Sequence, residues 1–279
     1  MITENSSSES INFLNIFSSK IISPYDTIVD CENLSFAQNY LSLTYLKVPR
    51  EKMSEFLGLH KEMVEAQVGE NRLLNGHWVF AHRFAANYSL LVVQSFNDPS
   101  DIDKDQALSR QNSNKYASTL SEEESKAFKE RRSSWLSMYL EGHYDEVRYR
   151  HENAGFRNEN FDNTNSKVVV ISWYNPSYAN MKEFREIYEK QKISVEKELG
   201  NSELIITTAH FSGRSPTFSS VMWYPSWEVF AKNEAALDEI QASGDNSNGG
   251  RMWEIAGGHW DEILVTVGHM NEGKFVIAK

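Results

Sequence analysis

The sequence repeats one short motif, and this repeat constrains the fold more than any other feature. Gly142 to Val147 reads GHYDEV, and Gly258 to Ile263 reads GHWDEI, 116 residues later. Four of the six positions are identical, and the other two exchange an aromatic for an aromatic and a branched aliphatic for a branched aliphatic residue. Repetition at a long spacing is typical of a chain built from two copies of one structural unit.

Two further matches lie upstream and support this interpretation. The tetrapeptide MSEF at Met53 recurs as MKEF at Met181, and Ala81-His82 recurs as Ala209-His210, both at a spacing of 128 residues. The longer spacing indicates an insertion in the polar stretch 98–129 of the first half. We therefore predict a flexible extension over residues 1–38, a first repeat over residues 39–160 and a second repeat over residues 161–279.

Each half shows the same order of predicted elements. Strand patterns lie at residues 40–48, 77–84, 88–96 and 143–150 in the first half and at 168–174, 204–211, 218–224 and 261–267 in the second. A helix pattern follows the first and the third strand of each half, and Ser121 to Glu124 is a capping-box signature for one of them. The order β-α-β-β-α-β is that of the ferredoxin-like unit. We predict an α+β fold of two tandem ferredoxin-like units.

Two such units, each with a His-x-Asp-x-(Val/Ile) motif beside its last strand, resemble the dimeric α+β barrel superfamily. Its members include antibiotic-biosynthesis-monooxygenase-like, EthD-like, stress-responsive A/B-barrel and NIPSNAP-like proteins, and the resemblance covers residues 40–279. It implies two four-stranded sheets packed face to face with helices outside. Because one chain carries both units, it implies an intramolecular, pseudo-dimeric α+β barrel.

The composition indicates which cellular compartment and which classes of binding partner suit this protein. The chain has 28 basic and 39 acidic residues, a formal net charge of −11, which argues against nucleic acid as a partner. Cys31 is the only cysteine, which excludes an internal disulfide framework and a multi-cysteine metal site. The sequence shows neither a basic signal region nor the run of about 20 apolar residues that a membrane helix needs. We expect a cytoplasmic protein that could form a homo-oligomer and that binds no membrane.

The repeated His-x-Asp pairs are the first candidate catalytic groups. Side chains two positions apart on a strand share a face, so His143 would lie beside Asp145, and His259 beside Asp261. The aspartate could orient the histidine as a general base, or both could bind a metal. Alternatively, the aspartate caps the start of the strand and the histidine bonds a backbone group, which is a purely structural role.

Two other histidines extend this hypothesis to a metal site. His82 and His210 lie on the second strand of each unit, and in the resembled barrels that strand approaches the fourth strand of the other unit. His82 could then face His259 and Asp261, and His210 could face His143 and Asp145. Two imidazoles and a carboxylate are a ligand set used by non-haem iron sites.

A pocket without a cofactor, or one related to haem, is the alternative site. Haem needs an axial ligand, and His60, on the apolar stripe of a helix, is the candidate. We leave the cofactor open between none and a divalent metal, with haem ranked below both. Arg83, Arg148 and Arg150 could bind an anionic substrate, or they could pair with acids such as Glu146 on an outer face. The aromatic residues that could line the pocket, or equally form the core, are Trp78, Phe80, Trp135, Trp173, Trp223 and Trp253.

Two classes of function remain open from the sequence. The first is an enzyme that acts on a small apolar or aromatic molecule by an oxygenase-, isomerase- or cyclase-like reaction, with the His-x-Asp pairs as catalytic groups. The second is a non-catalytic ligand-binding or assembly protein whose histidines are structural. An open cavity that reaches a histidine favours the enzyme, and a tightly filled barrel favours the second class.

Overall fold

The computed structural model describes residues 40–84, 86–159, 161–162, 165–242 and 249–278, so the predicted extension over residues 1–38 lies outside the described part. The strands are β1 (Tyr40–Leu46), β2 (Gly76–Phe84), β3 (Leu90–Phe96), β4 (Tyr144–Arg157), β5 (Val168–Tyr174), β6 (Leu204–Ser212), β7 (Phe218–Tyr224), β8 (His259–Asn271) and β9 (Lys274–Ile277). The helices are α1 (Met53–Ala66), α2 (Ser100–Ser118), α3 (Glu122–Leu140), α4 (Met181–Tyr188), α5 (Ser194–Leu199), α6 (Trp227–Ala242) and α7 (Gly249–Ile255).

Strands β1 to β8 close into one antiparallel barrel. The first half pairs in the order β2-β3-β1-β4, and the second half pairs in the order β6-β7-β5-β8. Two seams join the halves, since β4 pairs with β6 and β2 pairs with β8, both antiparallel. The predicted α+β barrel within one chain is therefore confirmed, including the approach of each second strand to the opposite fourth strand. Closure removes the exposed strand edges that otherwise promote aggregation.

Both faces of each four-stranded sheet are buried. On the outer face of the first sheet, α1 and α3 form a core with residues such as Phe56 and Leu90. On the outer face of the second sheet, a matching core contains Phe184 and Phe218. A third core fills the barrel interior with side chains from both halves, and Trp173 belongs to it.

Local sequence signals explain several helix boundaries. Ser121 and Glu124 form the predicted capping box of α3, in which each side chain bonds the backbone N–H of the other residue. The insertion inferred in the first half contains α2, an additional polar helix. Gly200 ends α5 in a left-handed conformation with a φ of 64°, which a glycine adopts without strain. Within the described ranges, no helix is both long and apolar enough to cross a membrane.

Candidate active site

The second His-x-Asp pair lies on the outer face of the barrel. Strand pairing aligns His259 with Tyr174, which belongs to the core between the second sheet and its helices. The His259 ring stacks on the Tyr174 ring at a centroid distance of 4.6 Å, and its Nε2 lies 3.2 Å from Oδ1 of Asp261. The two side chains are adjacent, but they face the helical layer rather than the barrel interior.

The first His-x-Asp pair is bonded to the end of α3 and to β1. His143 Nδ1–H donates to the backbone carbonyl of Leu140 at 2.8 Å, so this imidazole caps the last turn of α3. Thr44 Oγ1 donates to Asp145 Oδ1 at 2.6 Å. The backbone bond of His143 is the contact that the structural alternative predicted, whereas its Nε2 also lies 3.4 Å from Oδ2 of Asp145, which keeps the pair together.

The structure does not bring His82 or His210 to the His-x-Asp pairs. His82 aligns with Leu264, whose side chain belongs to the interior core, whereas His259 lies on the outer face of the same strand. His210 is exposed, and its Nε2 lies 3.2 Å from the carbonyl oxygen of Gly213. Among the described residues, no group of three or more His, Cys, Asp or Glu side chains could hold a metal. The expected juxtaposition at the seams is therefore wrong.

His60 is a hydrogen-bonded core residue between α1 and the first sheet. Trp135 Nε1–H donates to His60 Nδ1 at 3.3 Å, and His60 Nε2 lies 2.9 Å from Nε2 of His77. Both ring nitrogens are engaged, so His60 offers no nitrogen to a haem iron without breaking this network. Burial lowers the pKa of His60 to about 3 and lowers the pKa of His77 well below its usual value.

The barrel interior holds a cavity of about 210 Å³, which we call the inner cavity. It exceeds the roughly 150 Å³ that an engineered apolar cavity needs to accommodate benzene. Of the predicted aromatic set, Trp135 packs outside the barrel and Trp253 is exposed. The members that do line the inner cavity are Trp78, Phe80, Trp173 and Trp223.

Arg148 and Arg150 line the inner cavity, so the alternative that placed them on an outer face is wrong. Arg148 is 1% exposed, and its guanidinium donates to Thr208 Oγ1 and to Ser215 Oγ, each at 2.6 Å. Its Cζ lies 5.0 Å from the centroid of the Trp173 ring, a cation–π contact. Burial lowers the pKa of Arg148 to about 10, so this guanidinium stays charged at neutral pH.

A second cavity of about 600 Å³ opens at the end of the barrel where β1 ends and where β4 and β8 begin. Trp173 lines this cavity as well as the inner cavity, so one indole forms a wall between them. We call this opening the glutamate mouth, and its lining residues are Tyr45, Lys47, Ala86, Asn87, Tyr144, Glu146, Trp173, Arg214, Ser215, Pro216, Trp260 and Glu262.

Glu262 is the most chemically distinctive group of the glutamate mouth. Its side chain is buried, and Tyr88 Oη–H donates to Glu262 Oε2 at 2.6 Å. Burial raises the pKa of Glu262, and hydrogen bonding from Tyr88, Trp173 and Trp260 partly opposes that rise. The buried Trp173 indole N–H lies beside this carboxyl but forms no hydrogen bond of good geometry with a described residue.

Three tyrosines surround the two glutamates. The Tyr45 and Tyr144 rings stack at 4.3 Å, and the Tyr88 ring meets Tyr45 edge-on at 4.8 Å between centroids. Burial, and then the carboxylates of Glu146 and Glu262, raise the pKa of Tyr45 well above its usual value. All three phenols therefore stay neutral at physiological pH and can donate hydrogen bonds. A carboxylate base beside neutral donors and an apolar cavity is suited to proton transfer.

The repeated motif contained the signal for these glutamates, and sequence reasoning passed over it. Glu146 and Glu262 are the identical fifth residues of GHYDEV and GHWDEI. Because they directly follow the outward-facing Asp145 and Asp261, strand alternation turns them to the inner face. The aromatic residues between each histidine and aspartate turn inward with them.

Comparisons with known proteins identify the fold. No protein-family model matches the sequence, and no curated protein is significantly similar to it. The crystal structure of an anthrone oxidase-like protein aligns with a TM-score of 0.58 and 11% identity, over 88% of this chain and 97% of that chain.

Two proposed monooxygenases have the same architecture. The protein from Fusobacterium nucleatum subsp. nucleatum ATCC 25586 aligns with a TM-score of 0.56 and 13% identity, over 88% of this chain and 99% of that chain. The protein from Lactobacillus acidophilus NCFM aligns with a TM-score of 0.53 and 7% identity, over 87% of this chain and 100% of that chain. At these identities the likeness concerns the fold alone. The chain therefore has an α+β barrel fold like that of these proteins, with the whole barrel closed within one polypeptide.

Proposed function

We propose that this protein is an enzyme that removes an acidic proton from a small, flat, largely apolar molecule held in the barrel, with Glu262 as the base. The observation that carries the proposal is the buried Glu262–Tyr88 pair at the glutamate mouth, next to Trp173, which also lines the inner cavity. Oxygenase-, isomerase- and cyclase-like reactions can each begin with such a proton transfer. We favour oxygenation, because two structural neighbours are described as proposed monooxygenases and one as anthrone oxidase-like.

The surroundings of Glu262 suit this role. A carboxylate whose pKa is raised by burial holds an abstracted proton more strongly than a carboxylate in water does. Tyr88 orients the carboxylate by donating to one of its oxygens, and Glu262 contributes to the lining of the glutamate mouth. The indole N–H of Trp173 lies beside Glu262 and favours the charged form of this carboxylate, which is the form that accepts a proton.

Anthrone is a suitable test substrate, because it is flat and apolar and has an acidic CH₂ group. Glu262 would take one proton from this carbon, and O₂ would oxidise the resulting carbanion. The overall reaction converts anthrone and one O₂ into anthraquinone and one water. We expect O₂ uptake and anthraquinone formation in a 1:1 ratio, faster than in buffer alone. Absence of catalysis both with anthrone and with a panel of acidic phenols would contradict the enzyme proposal.

A non-catalytic ligand-binding protein is the second candidate. It is supported by the apolar lining of the inner cavity, and by the absence of histidine, among the described residues, from that lining and from the glutamate mouth. This function predicts that tryptophan fluorescence reports saturable binding of anthrone without any turnover. The two candidates therefore differ in one measurement made on the same sample.

The His-x-Asp pairs give a prediction that separates them from the proposed site. We expect His259→Ala to lower the free energy of unfolding by about 1–2 kcal/mol, because the ring loses its contacts with Tyr174 and Trp253. Anthrone binding and turnover should stay close to wild type, with His143→Ala as the matched variant. Thermal unfolding and the O₂ assay measure the two effects. Loss of turnover without loss of stability would instead assign catalysis to this pair.

We also infer that the two halves descend from one duplicated unit. The repeated GH(Y/W)DE(V/I) motif and the equivalent strand orders of the halves support this inference. The boundary that we propose between the repeats lies near residue 160, between β4 and β5.

A further inference from the structure

The inner cavity has an unusual distribution of charge for an apolar site. Arg148, Arg150 and Arg157 contribute to its lining, and no aspartate or glutamate among the described residues does. The chain as a whole has a formal net charge of −11, so this concentration of positive charge runs against the overall composition. Arg148 is buried and Arg150 is half-buried, whereas Arg157 is exposed, and a buried cation attracts an anionic ligand more strongly than a surface cation does.

The three guanidinium groups lie along one strand, β4. Arg148 is held in place by Thr208, Ser215 and the Trp173 ring, so its position is fixed before any ligand binds. Arg150 follows on the same inner face, and Arg157 lies at the far end of the strand. Burial lowers the pKa of Arg150, and the positive charge of Arg157 lowers it further. Both side chains contribute to the lining of the inner cavity, so both face a ligand that binds there.

We propose that the inner cavity binds a flat aromatic carboxylic acid, with its carboxylate at Arg150 and Arg157 and its rings among the aromatic side chains of the barrel. Planar guanidinium groups match the geometry of a carboxylate. The rings would contact Trp78, Phe80 and Trp223. The opposite orientation would bring the carboxylate to Trp173, toward Glu146 and Glu262 of the glutamate mouth, where like charges repel. The inference rests on the proposed function only in placing the reactive end of the ligand toward Glu262.

A matched pair of ligands tests this preference. 2-Naphthoate and 2-naphthamide have the same rings and nearly the same shape, but only the first carries a charge. We expect calorimetric titration of the full-length protein to show naphthoate binding about 10- to 100-fold more tightly, as charge-assisted hydrogen bonds predict. Equal affinities, or no binding of naphthoate, would overturn the proposal.

Arginine variants then show which residues cause the preference for naphthoate over naphthamide. Arg150→Met and Arg157→Met should each reduce it about tenfold or more and leave naphthamide binding nearly unchanged. Arg157 is exposed, so its variant keeps the test valid even if Arg150→Met folds poorly. Arg83→Met is the control, since Arg83 is exposed and does not line the cavity. A preference that survives both cavity variants would overturn the assignment.

The outcomes also separate this inference from the proposed function. Glu262→Gln should keep the naphthoate preference, because Glu262 lines the glutamate mouth and not the inner cavity. Failure of anthrone oxidation together with a retained preference would contradict only the catalytic proposal. Oxidation of anthrone without any preference for naphthoate would contradict only the carboxylate site.

Discussion

Replacing Glu262 by glutamine is expected to lower kcat for anthrone oxidation by about 10²- to 10⁴-fold, the range typical of a lost general base. The amide keeps the size of the side chain and can still accept the hydrogen bond from Tyr88 Oη, but it cannot take a proton. Binding of anthrone should therefore remain within a fewfold of wild type. O₂ uptake under saturating anthrone measures kcat, and tryptophan fluorescence measures binding.

The neighbouring glutamate supplies a matched control for this result. Glu146 is also buried in the glutamate mouth, but its contact with Tyr45 Oη is long, at 3.5 Å, and Glu262 alone of the two has the short tyrosine bond. We expect Glu146→Gln to reduce kcat far less than Glu262→Gln does. Equal losses would assign the chemistry to both glutamates, and full activity of Glu262→Gln would remove Glu262 from the mechanism.

Acid should destabilise this protein in a pH range where most proteins are still near maximal stability. Burial lowers the pKa of His60 and His151 to about 3, and that of His77 well below its usual value. In the unfolded chain these residues have pKa values near 6.5, so the unfolded state binds more protons than the folded state below that pH. The free energy of unfolding therefore has its full value above pH 6.5. It falls as the pH decreases, by up to ~1.4 kcal/mol per pH unit for each histidine.

Between pH 7 and pH 5.5 the three histidines together predict a loss of at most about 4 kcal/mol. The raised pKa values of Glu262 and Glu234 oppose part of this loss, because those carboxyls gain protons in the folded state first. Urea unfolding at the two pH values measures the difference. His151→Gln should remove about a third of it, and His210→Gln, at an exposed position, should leave it unchanged. An unfolding free energy that is the same at both values would contradict the prediction.

Much of the fold could be predicted because its signals are local. The run Val168 to Tyr174 matches β5 at both ends, and Ser121 caps α3 as its spacing with Glu124 predicts. The elements whose ends depend on pairing with a distant strand were predicted less well. Strand β4 was predicted to end at Arg150 but continues to Arg157, because β6 pairs with its second part beyond a register shift. Pairing with distant segments leaves no trace in local periodicity.

The site was harder to predict than the fold, and the reason is the burial of both sheet faces. Alternation shows that His259 and Asp261 share one face of β8 and that Trp260 and Glu262 share the other. It does not show which face is inward, because helices cover one face and the opposite sheet covers the other. The sequence prediction centred on His259, which lies on the outer face, whereas Glu262 of the proposed site lies on the inner face.

Because the barrel closes within a single polypeptide, its two halves need not have the same sequence. In an assembly of two equal chains, every inward substitution appears twice, once on each side of the twofold axis. Here position 148 holds an arginine while its counterpart, Leu264, is an aliphatic residue, and Tyr144 corresponds to Trp260. The two ends of such a barrel interior can evolve separately, so that one end binds the ligand and the other end catalyses its reaction.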